Sequence, residues 1–587
     1  MDIDHRGTSF SETLLESLLE AVRDLGSGGI FRLGGARFDE ATFTGKVNFA
    51  KARFSADVSF DKAKFSEDAI FANVDFGTSS RFRGTEFRGD VWFDFANFFG
   101  EAHFRDARFR GDAWFREVRF RDYASFAGAS FAEEVHFRGA KFDANASFSS
   151  VTADDDAVFR GVHFSRSASF HGAKIQGGAD FRLVNFSGGA RFDRMQISRH
   201  GNFAGARFSV APFFGPIVCG ETVNLTNSVF EAAVTLEIAA KRVLFDRTVW
   251  KSTATVRLRY ATADLSRAVT TSPVAVTAHP ISFATGAGNP VDEASLAGCS
   301  AEVSVVSMQG VDAAHLVLTD VDLSNCLFSG AFHLDQLRLE GRCTFAPAPV
   351  GWHRRGMWVA RWTRRRTLAE EHHWRAQDAG QPSPGHTASP RQWRSGPHHP
   401  EPSLTPDPED VAALYRQLRK AFEDGKNEPG AADFYYGECE MRRNDRTGTP
   451  TGERRLLLGY WLLSGYGLRA SRAFAWLLAA MSLTVLLLMG FGLPTHEPRP
   501  ATNGTLRGQA ISLSTTTQRP VLSGSWPQRM TAARAEKATR VAINSVVFRS
   551  SGQNLTNFGT YIEMLSRLLE PTLLALGVLA VRGRIKR

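Results

Sequence analysis

The sequence predicts a mainly β protein: a solenoid of short strands, followed by a helical hairpin and two transmembrane helices. Two observations lead to this class. Phenylalanine recurs through the first 250 residues in alternating steps of five and six. Later, residues 473–493 form a 21-residue run without a charge, which at about 1.5 Å per residue matches the hydrocarbon thickness of a bilayer.

The composition argues against a disulfide framework. The 587 residues include 70 Lys+Arg against 61 Asp+Glu, a net charge of +9, and 47 Phe against 8 Tyr. The five cysteines are odd in number and none forms a CxxC pair; they are Cys219, Cys299, Cys326, Cys343 and Cys439. A reducing compartment fits this usage, and no zinc site is indicated.

The N-terminal segment, residues 1–30, predicts an amphipathic capping helix. It lacks the basic start and apolar run of a signal peptide. Ser9 and Glu12 have the spacing of a capping box. A helical stripe follows and ends at a glycine cluster; it comprises Leu14, Leu15, Leu18, Leu19, Val22 and Leu25. We expect this helix to cover the open end of the solenoid.

The repeat consists of two interleaved phenylalanine series, each with a period of 11. A small residue usually stands two positions before each phenylalanine. The predicted core includes Phe43, Phe54, Phe65, Phe76, Phe87, Phe98, Phe104, Phe109, Phe115 and Phe120. The pattern is strong over 36–250, blurs near 240 and returns more weakly over 300–345. We place the domain at 31–345.

A period of 11 also suits a right-handed coiled coil. The Gly, Asp, Asn and Ser residues throughout this region disfavour long helices. A solenoid explains the pattern better, because each unit sends one large and one small side chain inward, and stacked coils then bury a phenylalanine column.

These units resemble the pentapeptide-repeat family, whose motif is A-(D/N)-(L/F)-x-x. The resemblance implies a right-handed, roughly four-sided β-helix, although the regular six-residue steps depart from the strict motif. Some family members mimic duplex DNA with an acidic surface and protect a topoisomerase. Residues 31–200 here carry 25 Lys+Arg and 23 Asp+Glu, so their near-neutral surface disfavours DNA mimicry. Binding of nucleic acid would need a continuous stripe of positive charge, and here acidic residues are interspersed with the arginines.

No catalytic motif is present in the sequence, and we predict no catalytic residue, no cofactor and no metal site. The acidic run Asp154, Asp155 and Asp156 is interpreted as a solvent-facing turn. Any function of the solenoid should lie on outward residues such as Arg105, Asp106, Arg110, Asp112 and Arg116.

Residues 346–408 predict a basic, tryptophan-containing segment and then a Pro-rich flexible linker. Tryptophan and arginine together suit an anionic membrane surface. The same two residue types also suit nucleic acid, where arginine contacts phosphates and tryptophan stacks on bases. We favour the membrane. The predicted surface residues are Trp352, Arg354, Arg355, Trp358, Trp362, Arg364, Arg365 and Arg366. Residues 409–446 then predict a helical hairpin that serves as a docking element.

Residues 447–587 predict a membrane module with spans at about 473–493 and 561–581. Several arginines precede the first span and four basic residues end the chain. By the positive-inside rule, the β-helix and both termini are cytoplasmic. In the second span, Arg567 is placed to pair with Glu563 and Glu570 on one helix face.

Two spans around a semi-apolar segment resemble the pore module of two-helix ion channels. The filter of potassium channels resembles T-x-G-Y-G, whose carbonyls replace ion hydration. The nearest stretch here, 555–559, keeps one glycine and lacks the tyrosine, so a degenerate pore is implied. The pore candidates are Thr556, Gly559 and Glu570.

We therefore expect a multi-pass protein of the bacterial inner membrane. Its predicted function is a non-enzymatic scaffold that presents a rigid β-helix to an unidentified protein partner at the cytoplasmic face. The alternative is an ion channel or channel-like sensor formed by the C-terminal module. The membrane helices could also support association between copies of the chain.

Overall fold

The computed structural model describes residues 2–24, 30–284, 288–355, 358–362, 364–381, 392–396, 406–495, 500–508, 510–517, 519–547 and 552–585. The chain divides into two compact units. The first comprises Met1–Pro406 with Leu414–Asn427, and the second comprises Asp407–Ala413 with Glu428–Arg587.

The first unit is a β-solenoid of about 14 turns. Strand registers show how far the chain runs before it returns to the same face: Phe43 pairs with Phe65, and Phe54 pairs with Phe76. Each full coil has four faces with parallel pairing between coils, so one coil contains four repeat units. Because each face holds only a short strand in every coil, the side chains alternate between one buried and one outward position.

The strands are grouped by face. Face 1 begins with Ile3–Asp4, Ala36–Arg37, Val58–Ser59, Ser79–Arg81, Glu101–His103, Ala124–Ser125, Ala146–Ser147 and Ala168–Ser169. Face 2 begins with Ser9–Phe10, Thr42–Phe43, Lys64–Phe65, Glu86–Phe87, Arg108–Phe109, Ser130–Phe131, Thr152–Ala153, Lys174–Ile175 and Met195–Ile197. Face 3 begins with Val47–Asn48, Ala69–Ile70, Val91–Trp92, Ala113–Trp114, Val135–His136, Ala157–Val158, Ala179–Asp180 and His200–Asn202. Face 4 comprises Ile30–Leu33, Arg53–Phe54, Asp75–Phe76, Asn97–Phe98, Arg119–Phe120, Lys141–Phe142, His163–Phe164, Asn185–Arg191, Arg207–Val210, Val229–Phe230, Val249–Trp250 and Val269–Thr270.

The core contains four phenylalanine columns, where the sequence suggested one. Phenylalanines at equivalent positions of successive coils stack face to face, with ring centroids 4.4 to 5.6 Å apart. Rings of neighbouring columns meet edge to face, as Phe104 meets Phe115 at 5.6 Å. All ten predicted core phenylalanines are buried. A buried phenylalanine contributes about 1.5–3 kcal/mol of transfer free energy, so the rod holds together through its own side chains.

The alternating steps of five and six correspond to two kinds of corner. Five-residue steps turn through one residue in the left-handed region, which recurs at every second corner, at Glu40, Lys51, Lys62, Asn73, Gly84, Phe95, Asp106, Glu117, Gly128 and Gly139. Six-residue steps turn without such a residue, and here successive coils approach closely. A Cβ on Gly188 would lie 2.4 Å from the backbone carbon of Arg166.

The solenoid continues across the region where the sequence pattern blurs. Phe230 pairs with Trp250, and Trp250 with Thr270, so the coil is shorter here than in the phenylalanine-rich part. The strands of faces 1 to 3 also merge or lengthen here. They comprise Phe213–Asn224, Val234–Leu244, Ala254–Arg259, Thr262–Asp264, Val274–Ala278, Ser304–Ser307, Leu316–Thr319 and Arg338–Glu340. Short 3₁₀ turns lie at Ala294–Leu296, Ala313–His315 and Leu334–Gln336.

The N-terminal segment joins the solenoid before its helix begins. Ile3 pairs with Ala36, and Phe10 with Phe43. Helix α1, Glu12–Ala21, then buries Leu15 and Leu19. The predicted Ser9–Glu12 capping box is wrong, because Ser9 lies in a strand and Ser11 caps the helix by accepting the Leu14 N–H. A short antiparallel pair, Arg23–Asp24 with Ile30–Leu33, follows.

Within residues 346–408, the structure describes two short strand pairs and a helix. Ala346–Pro347 pairs with Arg366–Thr367, and Gly351–Arg355 pairs with Trp358–Trp362. Helix α2, Ala369–Asp378, follows and is largely buried. Its buried side chains include both apolar and polar residues, namely Ala369, Glu370, Glu371, His372 and Ala376. Residues 382–391 and 397–405, which hold most of the prolines, lie outside the described part of the chain.

The remaining helices follow in order. They are α3 Pro408–Asp424, α4 Glu428–Asn444, α5 Thr451–Ser464, α6 Ala470–Leu487, α7 Trp526–Arg529, α8 Ala532–Val546 and α9 Asn557–Ile585. Helix α3 contributes residues to both units. Helix α6 continues as a π-helical turn, Leu488–Gly492, and the hairpin Pro500–Arg507 with Ala510–Thr517 lies between α6 and α7.

Candidate functional sites

A buried charged cluster lies at the C-terminal end of the solenoid. Its side chains come from residues 365–375 and from Tyr415 of α3, and the Arg394 backbone N–H also donates to it. We call it the end cluster. The sequence does not reveal this cluster, because "AEEHHW" has the composition of a solvated helix face.

Glu370 connects α2 to the last coils. Its carboxylate accepts the backbone N–H groups of Phe328 and Ser329, the latter at 3.0 Å. The side chain is 1% exposed. Burial raises the pKa of this carboxyl to about 7, against the opposing effect of the two N–H donors. Glu370 is therefore close to half-protonated at neutral pH.

Glu371 is the anion of the end cluster. It is fully buried and pairs with Arg365 and with Arg375, the latter at 2.7 Å. The Tyr415 hydroxyl donates to its second oxygen at 2.6 Å. Burial alone would raise the pKa of this carboxyl, but the two guanidinium charges outweigh it and hold the pKa at about 2. Glu371 is thus ionised at neutral pH.

His372 completes the end cluster as a neutral ring. Its Nε2 lies 2.8 Å from the Thr367 hydroxyl, and its Nδ1 accepts the Arg394 N–H at 3.2 Å. Burial, aided by the charges of Arg394 and Arg365, lowers the pKa of the imidazole to about 3. The ring therefore acts as a hydrogen-bonding part of the fold rather than as a charge.

One of the predicted membrane-surface residues, Arg365, lies in the end cluster. Arg365 is 6% exposed and bound to Glu371, so it faces the protein interior. Arg364 is exposed and Arg366 is half-buried. The side chains of Trp352, Arg354, Arg355, Trp358 and Trp362 lie outside the described part of the structure.

The outer surface of the solenoid carries mixed charges and a few exposed apolar side chains. Arg116 pairs with Asp94 at 2.6 Å and also lies 4.6 Å above the Trp114 ring. Phe95 is 55% exposed although its φ is +59°, a conformation that costs a bulky residue energy. Leu183 repeats this combination at 60% exposed and φ +58°, four coils further along the same corner.

Two helices in the second unit are long and apolar enough to cross a membrane. They are Ala470–Gly492, with a mean hydropathy of 2.2, and Asn557–Arg582, with 1.6. Only about a third or less of each is buried, which is unlike the core helix of a soluble protein. Large apolar side chains face outward on both, including Leu478, Leu483, Leu565 and Leu568.

The three pore candidates occupy helix contacts. The Thr556 hydroxyl donates to the Phe491 carbonyl at 2.7 Å and accepts the Gly559 N–H at 3.0 Å. Gly559 packs against Gly492, where a Cβ would lie 2.4 Å from the Gly492 oxygen. Asn557, Phe558 and Gly559 therefore begin α9 rather than forming an extended filter strand.

Glu570 lies apart from the other two candidates, three turns further along α9. It is fully buried, and the Thr484 hydroxyl of α6 donates to it at 2.8 Å. The predicted pairing of Arg567 is observed with Glu563, at 2.5 Å. Glu570 thus joins the two apolar helices through a polar contact.

Among the described residues, no group of three or more His, Cys, Asp or Glu side chains is arranged to hold a metal ion. Cys219, Cys326 and Cys439 are buried, and burial raises the pKa of each thiol. These three thiols are therefore poor nucleophiles.

Comparison with family models identifies the repeat. The model for pentapeptide repeats (9 copies) matches residues 38–85, 60–108, 82–130, 104–152 and 154–196. The matched part of the solenoid, within residues 38–196, consists of pentapeptide repeats. Searches of the curated proteins and of the solved structures found no match. The pentapeptide-repeat β-helix is a fold often used in protein interaction.

Proposed function

We propose that this protein is a membrane-anchored, non-enzymatic scaffold whose pentapeptide-repeat solenoid binds a protein partner. The observation that carries the membrane part is the outward apolar surface of α6 and α9. Leu478 is 65% exposed and Leu568 is 70% exposed. Contiguous surfaces of this kind are costly in water and are covered by lipid in membrane proteins.

The charges that flank the two helices suggest the orientation. Arg469 and Arg472 stand at the start of α6, and Arg582 and Arg584 near the end of α9. Helix α5, just before α6, exposes Leu456 and Leu458 beside arginines, as helices at a membrane surface do. By the positive-inside rule, the solenoid and both termini lie in the cytoplasm of a bacterial cell, at its inner membrane.

The partner surface is proposed around Phe95. An exposed aromatic residue in a left-handed corner gains little from burial, so its backbone strain is not offset within the chain. Aromatic and arginine side chains dominate binding energy at protein interfaces. Phe95, Phe99 and Arg121 supply them on adjacent corners, with Arg121 4.5 Å above the Phe99 ring.

Alkaline carbonate extraction tests the anchor, because peripheral proteins are released and spanning helices stay in the membrane. Recovery of the full chain in the carbonate supernatant would exclude the anchor. Capture from cross-linked membranes then tests the surface: Phe95→Gly should lose the captured partner. Glu117→Gly is the matched control, since Glu117 occupies the same corner one coil later with φ +54°.

Both substitutions should leave the solenoid at least as stable as before. Glycine removes about 1–2 kcal/mol of left-handed strain at each site and costs about 0.5–1 kcal/mol of chain entropy. If Phe95→Gly and Glu117→Gly capture the same proteins in the same amounts, the Phe95 surface is not the binding site.

A channel or channel-like sensor is the second candidate. The observation that favours it is the buried Glu570–Thr484 contact between two apolar helices. Burying an ionisable residue within a membrane span costs free energy, and residues retained there usually serve a function. Recordings in planar bilayers separate the two functions. A conducting protein should lose current on Glu570→Gln, and a silent bilayer at every voltage and pH removes the channel.

A further inference from the structure

Face 3 of the solenoid presents an apolar column to the outside. Ile70 pairs with Trp92, and Trp92 with Trp114. The column then continues through His136 to Val158, and the rings of Trp114 and His136 stack at 3.9 Å. These side chains are half-buried. In the same coils the outward positions of face 4 are polar, namely Asp75, Asn97, Arg119, Lys141 and His163. Apolar side chains in register on one face are typical of an interaction surface.

A column of arginines runs beside the apolar column, two positions later in each coil. Its outer members are bound within the chain. Arg116 pairs with Asp94 at 2.6 Å, and Arg182 pairs with the carboxylate two residues before it, also at 2.6 Å. The inner members, Arg138 and Arg160, are exposed, and within the described part of the chain their guanidinium groups have no hydrogen-bond or ion-pair partner. Two neighbouring positive charges are therefore available to a partner.

The acidic residues on the other side of the apolar column are committed to the fold. Asp68 accepts the Asp90 N–H at 3.3 Å, and Asp90 accepts the Asp112 N–H at 3.0 Å. Asp156 likewise accepts the Gly178 N–H at 2.6 Å. These carboxylates still carry negative charge, so they repel a layer of anionic headgroups or a nucleic acid backbone laid across face 3. A protein segment with its acidic residues on the arginine side alone fits this pattern better.

The corner that follows the arginines forms a shallow trough parallel to the solenoid axis. Phe95 and Leu183 stand at its two ends, and both are exposed. They are four coils apart, which at about 4.8 Å per coil is about 19 Å. The corner positions between them are Glu117, Gly139 and Gly161, and a Cβ on Gly161 would have no heavy atom within 4 Å. Two missing side chains between two apolar ends leave room for an elongated segment. We call this corner the Phe95–Leu183 trough.

The spacing of the coils suits an α-helix better than an extended segment. One helical turn rises about 5.4 Å, close to the spacing of about 4.8 Å between coils. A helix parallel to the axis can therefore place about one side chain in each gap of the apolar column. Alternate side chains of an extended segment are about 6.6 Å apart and soon fall out of step with the coils. A trough of about 19 Å corresponds to about 13 helical residues.

We propose that face 3 and the Phe95–Leu183 trough bind an amphipathic, acidic α-helix of a protein partner. The apolar side of that helix packs on the column from Ile70 to Val158, and its acidic residues pair with Arg138 and Arg160. The inference rests on the proposed partner-binding function, and it names the chemistry of the partner at the surface that begins at Phe95.

Parallel selections from an mRNA-displayed library of random peptides, about 14 residues long to match the trough, test the proposal. The baits are the full wild-type chain, Arg138→Glu/Arg160→Glu and Arg83→Glu/Arg105→Glu, each in nanodiscs of phosphatidylcholine. The last variant is the matched control. Arg83 and Arg105 also stand just before left-handed corner residues of adjacent coils, but half a coil away. All four arginines are exposed, so the melting temperatures should be unchanged.

We expect wild type and the control variant to select peptides with apolar residues three and four positions apart and Asp or Glu on one flank. This motif should be absent from peptides selected with Arg138→Glu/Arg160→Glu, because its attractive charge pairs become repulsive. A motif that is basic, one without helical spacing, or one that all three baits select equally overturns the proposal.

The conformation of the bound peptide is measured by fluorescence anisotropy with a selected peptide. Proline at its centre should weaken binding at least about tenfold, because proline breaks a helix interior. Unchanged affinity overturns the helix. Loss of binding when phosphatidylglycerol vesicles are added in excess, with no effect of phosphatidylcholine vesicles, assigns face 3 to lipid instead and also overturns the proposal.

Capture with Phe95→Gly separates this inference from the proposed function. If Phe95→Gly loses the partner captured from membranes while the acidic helical motif is not selected, partner binding stands and the acidic helix is refuted. If Phe95→Gly and Glu117→Gly capture the same proteins and the motif is not selected, the proposed partner surface fails as well.

Discussion

Replacing Glu370 by glutamine should change how the stability of the end cluster depends on pH. The burial that raises the pKa of Glu370 to about 7 acts on a carboxyl with an ordinary value of 4.5. A group with a raised folded pKa stabilises the fold fully below its unfolded pKa, and this contribution is lost as pH rises through the folded pKa. For Glu370 the loss falls between pH 4.5 and about 8.

The magnitude follows from the shift. A rise from 4.5 to about 7 corresponds to about 3 kcal/mol, at about 1.36 kcal/mol per pKa unit. His372 contributes with the opposite sign, because its lowered pKa of about 3 makes the fold lose stability as pH falls below 6.5. The wild-type end cluster should therefore change little between pH 4.5 and 6.5, while Glu370→Gln becomes more stable as pH rises.

Hydrogen exchange at the Phe328 and Ser329 amides measures this directly, because both N–H groups donate to Glu370. Protection factors, corrected for intrinsic exchange at each pH, are compared between variant and wild type so that the His372 contribution cancels. The variant-minus-wild-type difference should rise by about 3 kcal/mol, or about two orders of magnitude in protection, from pH 4.5 to 8. Glu340→Gln, an exposed site on the last strand, should show no such change.

A difference between Glu370→Gln and wild type that stays constant over this pH range would refute the reasoning. It would mean that Glu370 is ionised in the fold at pH 4.5 to 8 despite its burial, and that the two backbone donors outweigh desolvation.

Two further predictions concern the solenoid. Gly188→Ala should lower the unfolding temperature, with a cost of about 1–3 kcal/mol from overpacking against the Arg166 backbone. Gly189→Ala is the control and should be tolerated. A Gly188→Ala protein with the unfolding temperature of the wild type would contradict the corner geometry. Phe104→Ala should cost about 3–5 kcal/mol in circular-dichroism melts, and Phe99→Ala, an outward site, about 0.5 kcal/mol or less; equal costs would show that burial does not distinguish the two rings.

The architecture of the solenoid could be predicted from the sequence because its signal is local and repeated. A phenylalanine in each repeat unit fixes which side chains are buried, whatever happens elsewhere in the chain. The same periodicity does not say whether one coil takes two repeat units or four, since both halves of the coil have the same pattern. Phe43 and Phe54 belong to one series but stack in different columns.

The end cluster could not be predicted, because its charged side chains are buried by partners that are distant in the sequence. Glu370 binds amides 41 and 42 residues earlier, and Glu371 binds a hydroxyl 44 residues later. Charged side chains next to one another in sequence are usually solvated. Here Glu370 is buried because it binds the Phe328 and Ser329 N–H groups of the last coils. The sequence predicts Arg365 at a membrane surface for the same reason, since it stands among other arginines.

Because the register is uniform, repeat units can be inserted or deleted in the phenylalanine-rich part of the solenoid. Adding or deleting four consecutive repeat units in the phenylalanine-rich part leaves every remaining side chain on its own face and changes the rod by one coil, about 4.8 Å. Adding only two units rotates everything downstream by half a coil, which keeps the core but carries Leu183 to the side opposite Phe95. The distance between two outward residues can therefore be lengthened in increments of one coil without redesigning the interior of the solenoid.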